Sequence, residues 1–224
     1  MLPWTELASA DAPGGDRLRL LRRGDEFSIR LSGGNELMNS RLGHSEEELA
    51  RLALARLQGR AAAQVLIGGL GMGFTLRAAL PLLTPAARVT VSEIVPELAD
   101  WARAHMEDVF AGSLDDPRVE LRLDDVAALI RQAEGAYDAI LLDVDNGPDG
   151  LTRPSNDALY TEAGLRAARR ALAPGGVLAV WSASPAPAFT ARLARCGFDA
   201  ETRTVRASGS RRGNRHVIWI ARRA

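Results

Sequence analysis

The sequence predicts a three-layer α/β protein built on a seven-stranded, mostly parallel sheet with an antiparallel last strand. Three observations carry this expectation. From residue 64 onward, short apolar runs alternate with segments of helical periodicity. Runs such as AILLD and GVLAVW are almost continuously apolar, as strands covered on both faces are. The last two strand-like runs are separated only by the polar loop SGSRRGNR, a link short enough for a hairpin.

The elements follow in order. Residues 1 to about 16, rich in Ala, Pro, Gly and Asp, read as a loose arm. Phe27 to Leu31 and Glu36 to Met38 flank the turn SGGN and read as a small β-hairpin. Ser45 is placed to cap a helix reaching about Leu57, with Glu46, Glu47 and Glu48 in its first turn, where the helix dipole favours acids. Strands are expected at 64–69, 88–93, 119–123, 139–143, 176–181, 199–205 and 216–222. Helices are expected at 73–83, 95–110, 125–133, 159–172 and 186–195, with glycines at 175, 176 and 197 ending two of them. The chain is expected to divide into an N-terminal arm, hairpin and helix over residues 1–58 and a larger α/β domain over residues 59–224. Seven strands with the last one reversed is the Rossmann-like arrangement of class I methyltransferases.

Composition narrows the function. Apolar content of 46% and charged content of 25% fit an ordinary globular protein, and zero net charge gives no pull toward nucleic acid or acidic membranes. The longest apolar runs fall far short of the ~20 residues needed to span a bilayer. The N-terminus lacks the pattern of a secretory signal. One cysteine, Cys196, leaves no internal disulfide framework and no cysteine-rich metal site. A cytoplasmic setting is expected. All 28 basic residues are arginine, which removes Schiff-base chemistry and the P-loop lysine.

The chemistry concentrates at strand ends, where ligands of open α/β sheets bind. VLIGGLGMGF places Gly69, Gly71 and Gly73 in a GxGxG turn, with Phe74 where a dinucleotide fingerprint needs its last glycine. The turn therefore suits an S-adenosylmethionine-type nucleoside without a pyrophosphate. Twenty residues past Gly73, Glu93 ends the second strand and can accept from ribose hydroxyls, with Ile94 beside it. The third strand ends in Asp124 and Asp125. Either can cap the next helix, and Asp125 can also reach an adenine amino group. Asp143 ends the fourth strand and is either a turn carboxylate or a functional acid, the candidate catalytic residue. Asp145 and Asn146 are candidate substrate contacts as well as natural turn formers before Gly147 and Pro148. His44, His105 and His216 show no metal-ligand spacing and read as surface or packing residues. The arginines at 206, 211, 212 and 215 read as a solvated hairpin.

These motifs together resemble the spermidine synthase (polyamine aminopropyltransferase) family. The resemblance covers roughly residues 25 to 185 and rests on IGGLGMGFTLR, VSE, DDPRVELRLDD, YDAILLDVDNGP and LYTEAGLRAARRALAPGGVLAVW. It implies a decarboxylated S-adenosylmethionine site formed by Gly69, Gly71, Gly73, Glu93 and Asp125. It places Asp143 on the aspartate that holds and deprotonates the attacking amine, and Asn39 on a glutamine that touches the nucleoside. It also implies a homodimer, a polyamine substrate and no metal. Met72 stands where the family has an aspartate for the cofactor's amino group, and Asn146 where it has a second acid. SEEELARLAL does not reproduce the family's diamine-gripping DExxYHE segment. Aminopropyl transfer is therefore the first expectation. An S-adenosylmethionine-dependent methyltransferase and a non-catalytic nucleoside-binding module are the alternatives.

Overall fold

The computed structural model describes residues 2–12, 15–57, 59–144, 147–148, 158–208 and 213–223. An N-terminal antiparallel sheet comprises β1 (Thr5–Asp11), β2 (Arg17–Arg23), β3 (Glu26–Leu31) and β4 (Glu36–Asn39), in that spatial order. The expected hairpin is the β3–β4 pair. Two further strands extend it, and the first occupies the segment expected to be a loose arm. β1 pairs with β2 from Thr5↔Arg22 to Asp11↔Arg17; its small residue Ala10 is buried, as is Ala12 just past its end. In β2 the alternation Arg-Leu-Arg-Leu turns Leu18 and Leu20 inward.

The large sheet has the order β10-β11-β9-β8-β5-β6-β7. Its strands are β5 (Gln64–Gly68), β6 (Arg88–Ser92), β7 (Val119–Arg122), β8 (Tyr137–Leu142), β9 (Leu172–Ser182), β10 (Phe198–Arg206) and β11 (Arg215–Arg223). β5 lies parallel to both β6 and β8, whereas β11 runs antiparallel to both β9 and β10. The last strand is reversed, as the short loop before it requires.

Strand residues alternate between two cores. Val65, Ile67, Ala139, Leu141, Val177 and Ala179 face α1 (His44–Leu54), α2 (Phe74–Ala79), α3 (Pro96–His105), α4 (Glu107–Phe110) and the N-terminal sheet. Leu66, Ile140, Leu142, Leu178 and Val180 face α5 (Val126–Gln132), α6 (Glu162–Ala171) and α7 (Pro187–Arg195). Because Leu18, Leu20 and Ile29 join the first core, the small sheet is packed onto the large unit through apolar contact.

Helix boundaries depart from expectation where local chemistry intervenes. The segment expected as one helix at 95–110 breaks at Met106, whose backbone leaves helical geometry between α3 and α4. α2 stops at Ala79 and passes into a 3-10 turn, Leu80–Leu82, around Pro81, which cannot donate to an α-helical ladder. α1 begins at His44, so Ser45 lies inside the helix and does not cap it. The N-cap is Gly43, where any Cβ would run into the Phe74 ring.

Trp219 anchors the second core. It is almost fully buried, its Nε1 donates to Thr190 Oγ1 at 2.8 Å, and its ring meets Phe189 edge-on at 5.1 Å. Trp219→Ala is expected to lower unfolding free energy by about 3–5 kcal/mol in denaturant titrations.

Candidate active site

The carboxyl ends of β5, β6, β7 and β8 open on one groove with two lobes, each enclosing about 130 Å³. The first lobe is bounded by Gly69, Glu93, Ile94, Asp124, Asp125 and Val144. The second is bounded by Asn39, Glu46, Met72, Phe74, Asp143 and Trp181. Leu37, Met38, Gly71 and Asp143 border both, so the lobes meet there. The N-terminal sheet supplies Leu37 and Met38 and forms one wall.

Parallel pairing of β5 with β8 builds the junction. Asp143 N–H donates to Gly68 O at 2.9 Å, continuing the ladder one residue past the strands. Gly69 then turns at φ +92°, and a Cβ there would collide with the Asp143 carbonyl oxygen. Only glycine lets the turn pass this close. Gly71 also has positive φ, +51°, and a side chain there would meet Met38 Sδ at 3.8 Å, in the groove. Gly73, at φ +75°, is the N-cap of α2.

In the first lobe, Glu93 is buried and held by three backbone donors. Its Oε2 accepts from Leu70 N–H at 3.0 Å, and its Oε1 from Ile94 and Val95 N–H at 2.8 Å each. These bonds tie the glycine turn to the end of β6. Asp125 is the N-cap of α5, with Oδ1 accepting from Ala127 N–H at 2.8 Å. It therefore has the capping role and also borders the lobe. Asp124 is turned toward Arg122, at 2.7 Å.

The second lobe holds the feature that sequence reasoning missed. Glu46, on α1, lies there with Asp143, and the negative charge of Asp143 acts on it. Thr75 Oγ1 donates to Asp143 Oδ2 at 2.6 Å, and Ser45 Oγ lies 2.5 Å from Glu46 Oε2. Burial pushes the Asp143 carboxyl up and Thr75 partly offsets this. Burial and then Asp143 push Glu46 up. The signal available in the sequence was weak: three consecutive glutamates, of which Glu47 and Glu48 pair with Arg51.

Asn39 is buried, with Nδ2 donating to Glu36 Oε1 at 2.8 Å and Oδ1 accepting from Arg41 N–H at 3.0 Å. It borders the lobe of Glu46 and not that of Glu93. Met72 is buried in the same wall. The Trp181 indole N–H is buried without a hydrogen-bond partner among the described residues. Asp145 and Asn146, like Arg211 and Arg212, lie outside the described residues.

A seven-stranded sheet with a reversed last strand, and a groove running from a glycine turn across adjacent strand ends, define a class I methyltransferase-like α/β protein. The spermine/spermidine synthase domain matches residues 45–188, more than half of the chain, and the chain belongs to that family. It is similar to a polyamine aminopropyltransferase of Mycobacterium tuberculosis, 34% identical over 169 residues, covering 73% of this chain and 30% of the relative. A putrescine N-methyltransferase of Nicotiana tabacum is 38% identical over 116 residues, 51% of this chain and 28% of the relative. The chain thus spans under a third of the length of these curated relatives. Among solved structures, the spermidine synthase of Thermotoga maritima superposes with a TM-score of 0.77 at 20% identity, covering 98% of this chain and 73% of that one.

The two raised carboxyls bind protons more tightly in the folded state than in the unfolded one. They therefore favour folding at acid pH and lose that contribution as pH rises. For Glu46 the loss runs from its ordinary 4.5 to about 7. Glu46→Gln is expected to flatten the fall in thermal midpoint over this window and to exceed the parent protein in stability above it, as calorimetric scans at a series of pH values would show.

Proposed function

We propose that this chain transfers an aminopropyl group from decarboxylated S-adenosylmethionine to an amine. The observation that carries the reading is the shared second lobe of Asp143 and Glu46, opening at Gly71 onto the lobe of Glu93 and Asp125. Family membership supports it, and so does the relative named for polyamine aminopropyl transfer.

Each residue then has a role. The glycine turn lets the backbone approach a nucleoside. Glu93, oriented by its three backbone bonds, accepts from ribose hydroxyls, and Asp125 and Ile94 border the base. The bound sulfonium supplies an electrophilic carbon next to a neutral thioether leaving group. Asp143 lies where the lobes meet, so an amine held by it faces that carbon. An amine arrives protonated and must lose a proton before it has a lone pair to attack with. A carboxyl raised by burial is a better proton acceptor than an exposed one, which suits Asp143 to this step. Glu46 adds a second carboxyl to the pair that faces a cationic acceptor. Asp145 and Asn146 stay candidates for the distal end of the acceptor.

A second reading is methyl transfer from intact S-adenosylmethionine to a similar amine. Met72, in place of the family's aspartate, favours it, as does the relative named putrescine N-methyltransferase. Incubating the protein with putrescine and each donor separately, followed by mass spectrometry of the amines, separates the two. Spermidine formed only from the decarboxylated donor supports the first reading, and methylputrescine from the intact donor supports the second. If neither donor nor methylthioadenosine binds in calorimetry, both fail.

Two substitutions test the roles. Asp143→Asn is expected to reduce kcat by about 100-fold or more, the range of a lost general base, with methylthioadenosine still bound. Glu93→Gln is expected to weaken methylthioadenosine binding by about tenfold, measured by calorimetry, as the loss of a charged hydrogen-bond acceptor predicts.

A further inference from the structure

We infer that Ser45 and His216 form a proton relay that carries a proton from the Glu46 carboxyl, inside the second lobe, out to solvent. The inference rests on the amine-deprotonating reading of that lobe: Asp143 and Glu46 titrate as a pair, so the proton an amine gives up to that pair can leave from Glu46.

The geometry is a continuous chain. Ser45 Oγ lies 2.5 Å from Glu46 Oε2 and 2.8 Å from His216 Nδ1. Ser45 is fully buried on α1, whereas His216 on β11 is partly exposed. Trp181, which borders the lobe, meets the His216 ring edge-on at 4.7 Å and so helps hold its orientation. The serine hydroxyl has one hydrogen and sits between a carboxyl and an imidazole, so its two bonds have only two consistent arrangements. With Glu46 protonated, its O–H donates to Ser45 Oγ, and Ser45 donates to an unprotonated Nδ1. With Glu46 ionised, Ser45 donates to the carboxylate and accepts from Nδ1–H.

Passage between these arrangements moves one proton. The Glu46 O–H bond breaks as its proton bonds to Ser45 Oγ, while the hydrogen of Ser45 forms a bond to Nδ1. The imidazolium so formed releases its Nε2 proton to water. Glu46 is left ionised, His216 neutral, and Ser45 unchanged. Such an outlet is needed because substrates that fill the lobe displace the water that would otherwise take the proton.

The electrostatic surroundings keep the resting proton on Glu46, so the step to the imidazole runs uphill and is completed by release to water. From α1 and the end of β8, Glu47 and Asp143 act on Glu46, and Glu47 is itself engaged with Arg51 and Arg77. Across the sheet, His216 is registered with Val205 of β10 and flanked by Arg215. Burial holds its imidazole below the ordinary value, so it rests neutral and readily gives up a proton it receives.

The test combines kinetics with a readout independent of turnover. If the parent protein forms spermidine, Ser45→Ala and His216→Asn are expected to lower kcat by about 100-fold, as for other lost proton-transfer groups. The KM for putrescine should stay within a factor of about two. Ser45→Thr, which keeps the hydroxyl, restores turnover. His216→Asn retains a hydrogen-bonding tie to Ser45 but takes no proton, so wild-type kcat across the pH range in that variant overturns the relay. If no transfer is seen with any donor, the functional reading fails, and nitrogen-15 spectra of the histidine rings decide the relay alone. Above the pKa of Glu46, His216 should be the Nδ1–H tautomer in the parent protein and the Nε2–H tautomer in Glu46→Gln. The same tautomer in both overturns it.

Discussion

The bond from Asp143 N–H to Gly68 O, at 2.9 Å, is the constraint on which the site depends. It extends the parallel β5–β8 pairing past the last ladder residue, so the end of one strand and the turn after its neighbour share one backbone junction. Gly69 makes the contact sterically allowed, since any Cβ there would strike the Asp143 carbonyl oxygen. From this junction the chain diverges into both lobes. Leu70 N–H bonds back to Glu93, and α2 carries Thr75 onto the Asp143 carboxyl. A change in the β5–β8 register would separate all of these groups at once.

The second constraint is electrostatic. Two partly buried carboxyls bordering one lobe cannot both ionise without a penalty, so they titrate as a pair and both are raised. Neighbouring groups moderate the penalty. Thr75 stabilises the Asp143 anion, Ser45 stabilises the Glu46 anion, and Arg51 and Arg77 engage Glu47, the next negative charge. What stays uncompensated is a site suited to a cation. On the proposed reading, a protonated amine entering it lowers both pKa values by proximity and then loses its proton to a carboxylate, which becomes neutral and relieves the repulsion between the pair.

The α/β alternation, the reversed last strand, the glycine turn and the acids at 93, 125 and 143 were all legible in the sequence, because each depends on a local pattern. Period-two and period-3.6 hydrophobicity mark elements, and positive φ selects glycine. Glu46 was hidden because its role comes from tertiary contact. Nothing local separates it from Glu47 and Glu48, and only the packing of α1 beside α2 aims it at Asp143. Ser45 looked like a cap for the same reason: a hydroxyl before three acids is a helix-start pattern, and the helix begins earlier, at Gly43, where the Phe74 ring leaves no room for a Cβ. β1 was hidden because its inward residues are small, so the apolar alternation is faint, and pairing with β2 supplies the order.

Those hidden features belong to one assembly. The N-terminal sheet packs its apolar face into the first core and supplies Leu37 and Met38 as a wall common to both lobes. α1 follows at once and brings Glu46 to the second lobe. The large sheet alone thus provides the lobe of Gly69, Glu93 and Asp125, with Asp143 at its edge. The second lobe is completed only where the N-terminal sheet and α1 border it. The transferred group is therefore a question about the first fifty residues as much as about the glycine turn. Met72 shows why, since it belongs to the glycine turn and is buried in the wall of the lobe that Glu46 also borders.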